Sequence, residues 1–259
     1  MLRYASPARG VLTSIGILLL AVLFASFAVV PAAIFDTTIL TDPYGATRDA
    51  LVVFMVLNFV AFVIAGAVYM QITGRGWTFI DLQMPGRRDV IWMGGGILLV
   101  LVFYFALSIA ATLLELPAAD NDIVLMLGDD VTMVLIMIGI VLFFNAPAEE
   151  FLFRNVIQKR LYDSFSGVGA VILTSILFAL VHVTSYIMAA ESFVATAVSL
   201  VVMFGGSIIM GYAYLRTRNL WVPIVIHAGM NVFMLAIYLL SIIYDIDQEV
   251  NGAVLALFG

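Results

Sequence analysis

The chain has 259 residues, of which 64% are hydrophobic and only 11% charged, and its mean hydropathy is +1.16. Soluble domains carry charge on about a quarter of their residues, so a water-soluble globular fold is excluded. A net charge of −6 with no basic patch excludes a nucleic-acid surface, and the lack of cysteine excludes disulfides, thiolate nucleophiles and cysteine metal sites.

A helix needs about 20 apolar residues to cross a hydrocarbon core of about 30 Å. In chain order, seven stretches qualify, at roughly 11–35, 50–71, 90–114, 131–148 with a helical continuation, 167–189, 192–215 and 220–244. Arg3 and Arg9 precede the first of them, but its apolar run is too long for a signal peptide and reads as a retained anchor. Residues 115–130 (ELPAADNDIVLMLGDD) form the longest connection on their side, either as a solvated acidic loop or as a short interfacial helix. The glycines at 94–96 would permit close helix packing but lack the strand–turn–helix context of a phosphate loop. The closing NGAVLALFG is apolar yet too short to cross. The expected fold is therefore all-α, a polytopic membrane helix bundle of seven helices.

Charge then orients the bundle. The N-terminus, loop 72–89, region 154–163 and loop 216–219 hold ten of the eleven basic residues and are alternate connections, whereas the opposite loops carry Arg48 alone among many acids. By the positive-inside rule the N-terminus is cytoplasmic and the C-terminus lies outside.

One segment does not fit a plain span. PAEEFLFR (147–154) follows directly on VTMVLIMIGIVLFFN, and helix-compatible sequence runs on to Lys159 and Arg160. Counting back from there at about 1.5 Å per residue puts Glu149 about 16 Å from the cytoplasmic boundary, near the bilayer midplane. A carboxylate at that depth costs on the order of 2.5–3.5 kcal/mol on insertion scales, and such residues are functional candidates. Glu150 and Arg154 are spaced i,i+4 and so share a face, which reads as a supporting ion pair. Glu149 lies about 100° around the helix, on the face of Asn145, free of that pair.

The only two histidines also fall inside spans. His182 lies about 22 Å from the cytoplasmic end and His227 about 12 Å, with Asn231 one turn further on the same face, about 18 Å deep. Glu149, His182, His227 and Asn231 therefore converge on one depth window. Phe178, at i−4 from His182, reads as packing that orients the imidazole. A lone intramembrane histidine or asparagine is often interhelical glue; four polar groups from three spans at one depth are harder to explain as scaffolding.

A buried carboxylate beside an imidazole can take a proton from water and hand it to a leaving amine. His227 and Asn231 could then donate hydrogen bonds to an oxyanion. The rival is a zinc site, in which Glu149, His182 and His227 form a two-histidine, one-carboxylate ligand set. Both versions need the same three residues, so the cofactor expectation stays open between none and zinc; the absence of HExxH tilts modestly to the metal-free form.

Three motifs carry a resemblance. EEFLFR matches EExxxR, FALVH (178–182) matches FxxxH, and HAGMN (227–231) matches HxxxN, in that order on successive late spans. Together they resemble the CPBP (CAAX protease and bacteriocin-processing, or Abi) family of intramembrane endopeptidases, which includes the Ras-converting CAAX prenyl endopeptidase. The resemblance covers a little under half of the chain. It implies that Glu149 and His182 activate water, that His227 and Asn231 form the oxyanion site, and that Glu150 and Arg154 support them. It implies a single membrane domain with N-terminal helices over 1–120, a catalytic core over 121–244 and a short tail over 245–259. Relatives often have eight spans, which leaves open whether 245–259 contributes to an eighth. The implied substrate is a membrane protein or peptide, lipidated or not, and the implied location is a prokaryotic plasma membrane. Two further readings stand beside this one: a non-catalytic scaffold or immunity protein, and a proton-coupled transporter using Glu149 and His182 as a relay.

Overall fold

The computed structural model describes residues 6–117, 122–187 and 192–245. Every regular element among them is helical. Seven crossing segments run Pro7–Ala32, Arg48–Ile72, Arg87–Leu113, Val131–Tyr162, Gly167–Tyr186, Phe193–Thr217 and Trp221–Ile243; they are called α1 to α7 in that order. The bundle of seven read from hydropathy is thus the observed one. Residues 246–259, where an eighth helix was in question, lie outside the described residues.

α4 is the centre of the bundle and packs against α1, α2, α5, α6 and α7. Its residues Leu152, Phe153, Arg154, Asn155, Val156, Ile157 and Gln158 are all fully buried. This follows from what the segment carries: polar and ionisable groups at membrane depth must face protein rather than lipid. α3, whose charged residues stop at its first turn, sits at the periphery, with Gly96, Val100 and Tyr104 as its buried residues.

α4 is also irregular. Val141–Asn145 and Phe151–Gln158 are π-helical, flanking the α-helical turn Ala146–Glu150. Pro147 supplies a reason for the first wide turn. It has no N–H to donate to the carbonyl of Phe143, and its ring would clash with that carbonyl in a regular α-helix. The second wide turn begins at Phe151, whose ring lies against Gly66 of α2 so closely that any Cβ there would strike it. Lipid tails are as apolar as leucine, so contacts of this kind, more than hydrophobic burial, hold the helices together.

The two ends of the bundle separate by charge as expected. At the arginine-rich end, Asp81 in the α2–α3 loop ties α4 to α6. Its N–H donates to Asn155 Oδ1 at 2.9 Å, its Oδ1 pairs with Lys159 Nζ at 2.8 Å, and its Oδ2 accepts from Tyr214 at 2.5 Å. At the other end Arg48 pairs with Asp130, and Tyr238 donates to the carbonyl of Gly128 at 2.9 Å. The 115–130 connection contains a short helix, Asp122–Leu127. Of the three consecutive glycines on α3, only Gly96 meets a neighbouring helix, against Ile226 of α7; Gly94 and Gly95 face open space.

Candidate active site

Glu149 and Glu150 sit on the α-helical turn between the two wide ones, and both are buried, at 5% and 0% exposure. Being consecutive, they point apart, and each has its own partners. Glu150 meets the guanidinium of Arg154 at 3.0 Å through Oε2 and the imidazole Nδ1 of His227 at 2.9 Å through Oε1. Arg154 is itself fully buried, donates to Ser207 Oγ at 3.2 Å, and lies 5.0 Å from the centre of the Phe178 ring. The expected Glu150–Arg154 pair is therefore present. Its link to His227 was not expected.

Glu149 is held separately. Asn145, one turn earlier, donates from Nδ2 to Glu149 Oε1 at 2.9 Å, and its Oδ1 accepts from Asn231 Nδ2 at 3.2 Å. A carboxylate only accepts, so this is the one amide orientation that forms both bonds. Asn145 thus joins Glu149 on α4 to Asn231 on α7. The sequence offered one cue to it, a lone amide at the end of an apolar run, and its role depends on a partner 86 residues away.

His182 occupies the break between Gly167–Val181 and Val183–Ile187 of α5. There its backbone N–H turns to Ala179 O at 3.1 Å, and the carbonyl of Phe178 receives the His182 Nδ1 instead, at 2.7 Å. A carbonyl cannot donate, so Nδ1 carries the proton, and in the neutral ring Nε2 is the acceptor. The Phe178 ring also lies against this imidazole, with centroids 4.6 Å apart, and presents a near-perpendicular contact to His227 at 6.3 Å. Phe178 thus touches His182, His227 and Arg154 together.

The four candidate residues are therefore connected: Glu149 to Asn231 through Asn145, His182 to His227 through Phe178, and His227 to Asn231 by one turn of α7. Glu149 and His227 are buried, and His182 and Asn231 are partly buried. In contrast, no three histidine, aspartate or glutamate side chains among the described residues form a group that could hold a metal ion. The contact of His227 Nδ1 with Glu150 leaves Nε2 as the other ring nitrogen of His227.

Comparison with known proteins bears on the same segment. Residues 131–233, which contain all three motifs, match the family model described as Type II CAAX prenyl endopeptidase Rce1-like. The chain is similar to a protein named membrane-embedded CAAX protease MroQ from Staphylococcus aureus (strain USA300). The two are 22% identical over 204 residues, covering 75% of this chain and 76% of the other. No solved structure matches the chain. The resemblance read from the three motifs is borne out, and the chain is an integral, multi-pass membrane protein whose residues 131–233 are similar to that family.

Proposed function

We propose that this protein is an intramembrane endopeptidase that hydrolyses peptide bonds of membrane-associated substrates with a water activated by Glu149 and His182. The observation that carries the proposal is the division of labour between adjacent glutamates. Glu150 is spent on Arg154 and His227, whereas Glu149 is positioned by a neutral amide and keeps its second carboxylate oxygen for chemistry.

The reaction runs as follows. His182, with Nδ1–H fixed on the Phe178 carbonyl, accepts a hydrogen bond from water at Nε2, while Glu149 takes the other proton as the water oxygen attacks the carbonyl carbon. The carbonyl oxygen becomes an oxyanion, which accepts from the second amide hydrogen of Asn231; His227, its Nδ1 committed to Glu150, presents Nε2 to the same oxygen. Glu149 then returns its proton to the amine as the carbon–nitrogen bond breaks.

The substrate class follows from position: a peptide bond must reach mid-bundle depth, which suits a membrane protein or a peptide with a lipid anchor. The protein reconstituted in nanodiscs would be offered prenylated and unlipidated membrane peptides in H2(18)O. Wild type is expected to place one labelled oxygen in the new carboxyl terminus, and Glu149→Gln and His182→Ala to lose cleavage by about 10²–10⁴-fold. Equal cleavage by all three sinks the assignment. Absence of cleavage in wild type, with proton-coupled uptake lost in Glu149→Gln, selects the transporter reading. Chelation with metal analysis decides the cofactor question, since loss of activity restored by zinc contradicts the metal-free route.

A further inference from the structure

A second site lies away from the carboxylates and does not depend on the proposed reaction. Between α3 and α6 the surface holds a groove of about 470 Å³, lined by Trp92, Gly95, Leu99, Ile209 and Tyr212 among others. Its walls are almost wholly apolar. It exists because Gly95 leaves it open: a Cβ there meets no atom within 4 Å, whereas one at Gly96 would run into Ile226. The α3 residues lining it start one turn inside Arg87 and reach about 18 Å towards the bilayer centre. The groove therefore begins at headgroup depth on the cytoplasmic side and follows the direction of an acyl chain.

The mouth is cationic. The Arg216 guanidinium lies 5.9 Å from the Trp92 ring centre and 5.8 Å from that of Tyr212, and it donates to the Tyr212 hydroxyl at 2.9 Å. Arg88 reaches across from α3 and donates to the Arg216 carbonyl at 2.9 Å. Among the described residues, no carboxylate pairs with Arg87, Arg88 or Arg216, although Arg75, Lys159 and Arg160 on the same rim each have one. The nearby acid, Asp89, instead accepts from Gly86 N–H and Asn219. Three exposed arginines without counter-charge at the top of an apolar groove, flanked by an interfacial tryptophan and tyrosine, complement one kind of membrane molecule.

We infer that the groove binds an anionic phospholipid of the cytoplasmic leaflet, with its phosphate at Arg88 and Arg216 and an acyl chain along Gly95 and Leu99. The test is native mass spectrometry of the full chain titrated with phosphatidylglycerol and with phosphatidylcholine of matched chains. Wild type should retain phosphatidylglycerol in preference. An arginine near the surface contributes about 1 kcal/mol to such binding, or about fivefold, so Arg216→Gln should weaken it about fivefold and Arg88→Gln with Arg216→Gln about 25-fold. Arg9→Gln, the same charge change on α1 away from the groove, should leave it unchanged. Gly95→Leu fills the groove and should lower retention of both lipids. Equal retention of the two lipids by wild type overturns the inference, as does a loss in Arg9→Gln as large as that in Arg216→Gln. Should Gly95→Leu not fold, the exposed arginine variants decide alone.

Discussion

Replacing Arg154 by methionine tests whether the buried charges are wired as described. Arg154 and Glu150 are both 0% exposed, and the pair meets at 3.0 Å. Methionine keeps much of the apolar volume and the contact with Phe178 but leaves the Glu150 carboxylate with His227 as its one remaining close partner. Removing one member of a buried pair costs about 3–5 kcal/mol, because the other charge is stranded. The lost guanidinium–ring attraction adds about 0.5–2 kcal/mol. Changing Glu150 to glutamine in the same chain removes the stranded charge while an amide still meets His227. The Arg154→Met, Glu150→Gln double variant should therefore recover at least about 2 kcal/mol relative to Arg154→Met alone. Denaturation of the purified variants by increasing mole fraction of SDS in one detergent measures both differences. A cost below about 1 kcal/mol for Arg154→Met, or a double variant no more stable than the single, would refute the reasoning, since both outcomes mean Glu150 is not a buried anion dependent on Arg154.

Three further outcomes follow from the geometry. Asn145→Leu removes the amide between Glu149 and Asn231 and should lower kcat by roughly 10²-fold with little change in KM, because a carboxylate displaced by about 1 Å loses its line to the water; an unchanged kcat in steady-state cleavage assays would dismiss the bridge. Gly66→Val drives a side chain into the Phe151 ring and should cost about 1–3 kcal/mol, whereas Gly16→Ala, which meets nothing within 4 Å, should be neutral or mildly stabilising; thermal unfolding of the two variants makes the comparison. At the outer face, backbone and side-chain hydrogen bonds from Thr38, then Thr47, hold Asp36 at a pKa of about 2 against an ordinary 3.8. Its contribution to stability is thus present above about 3.8 and lost as pH falls through about 2. Amide exchange over residues 33–48 should rise across that interval in wild type and already be raised, without a further step, in Asp36→Asn.

Much of this was legible in the sequence because bilayer physics constrains it tightly. Twenty apolar residues in a row have few alternatives, so all seven spans could be read, and ten basic residues on alternate loops oriented them. The phase of a helix also separated Glu149 from Glu150, and the Asn145–Glu149 and Glu150–Arg154 contacts are both the i,i+4 pairs that phase implies. Pairings across helices were not legible. Nothing in the spacing of Glu150 and His227, 77 residues apart, predicts that the second glutamate would take the histidine. Asp81 was one acid among cytoplasmic charges, and its hold on α4 and α6 required both helices in place. Pro147 was a cue left unused, since a proline inside a continuous helix demands a local departure from α geometry.

That departure ties the fold to the proposed chemistry. A regular helix uses every backbone group on itself and offers side chains only at fixed angles, so it holds substrate-facing polar groups poorly in lipid. Here the site is built where the regular pattern fails. α4 widens before and after the Glu149–Glu150 turn, and α5 breaks at His182, which frees the Phe178 carbonyl that fixes the imidazole tautomer. The second wide turn of α4, Phe151–Gln158, is wholly buried among neighbouring helices, the condition under which a membrane tolerates such a departure. It follows that a substitution restoring regular helix at either place should cost activity without costing stability. Pro147→Ala is the direct case. It returns a backbone donor to α4 and removes a clash, so its unfolding should be no easier than that of wild type. Closing the wide turn would also rotate Glu149 away from Asn231, and cleavage should fall. A Pro147→Ala protein that is both as stable and as active as wild type would show that the wide turn is incidental to the placement of Glu149.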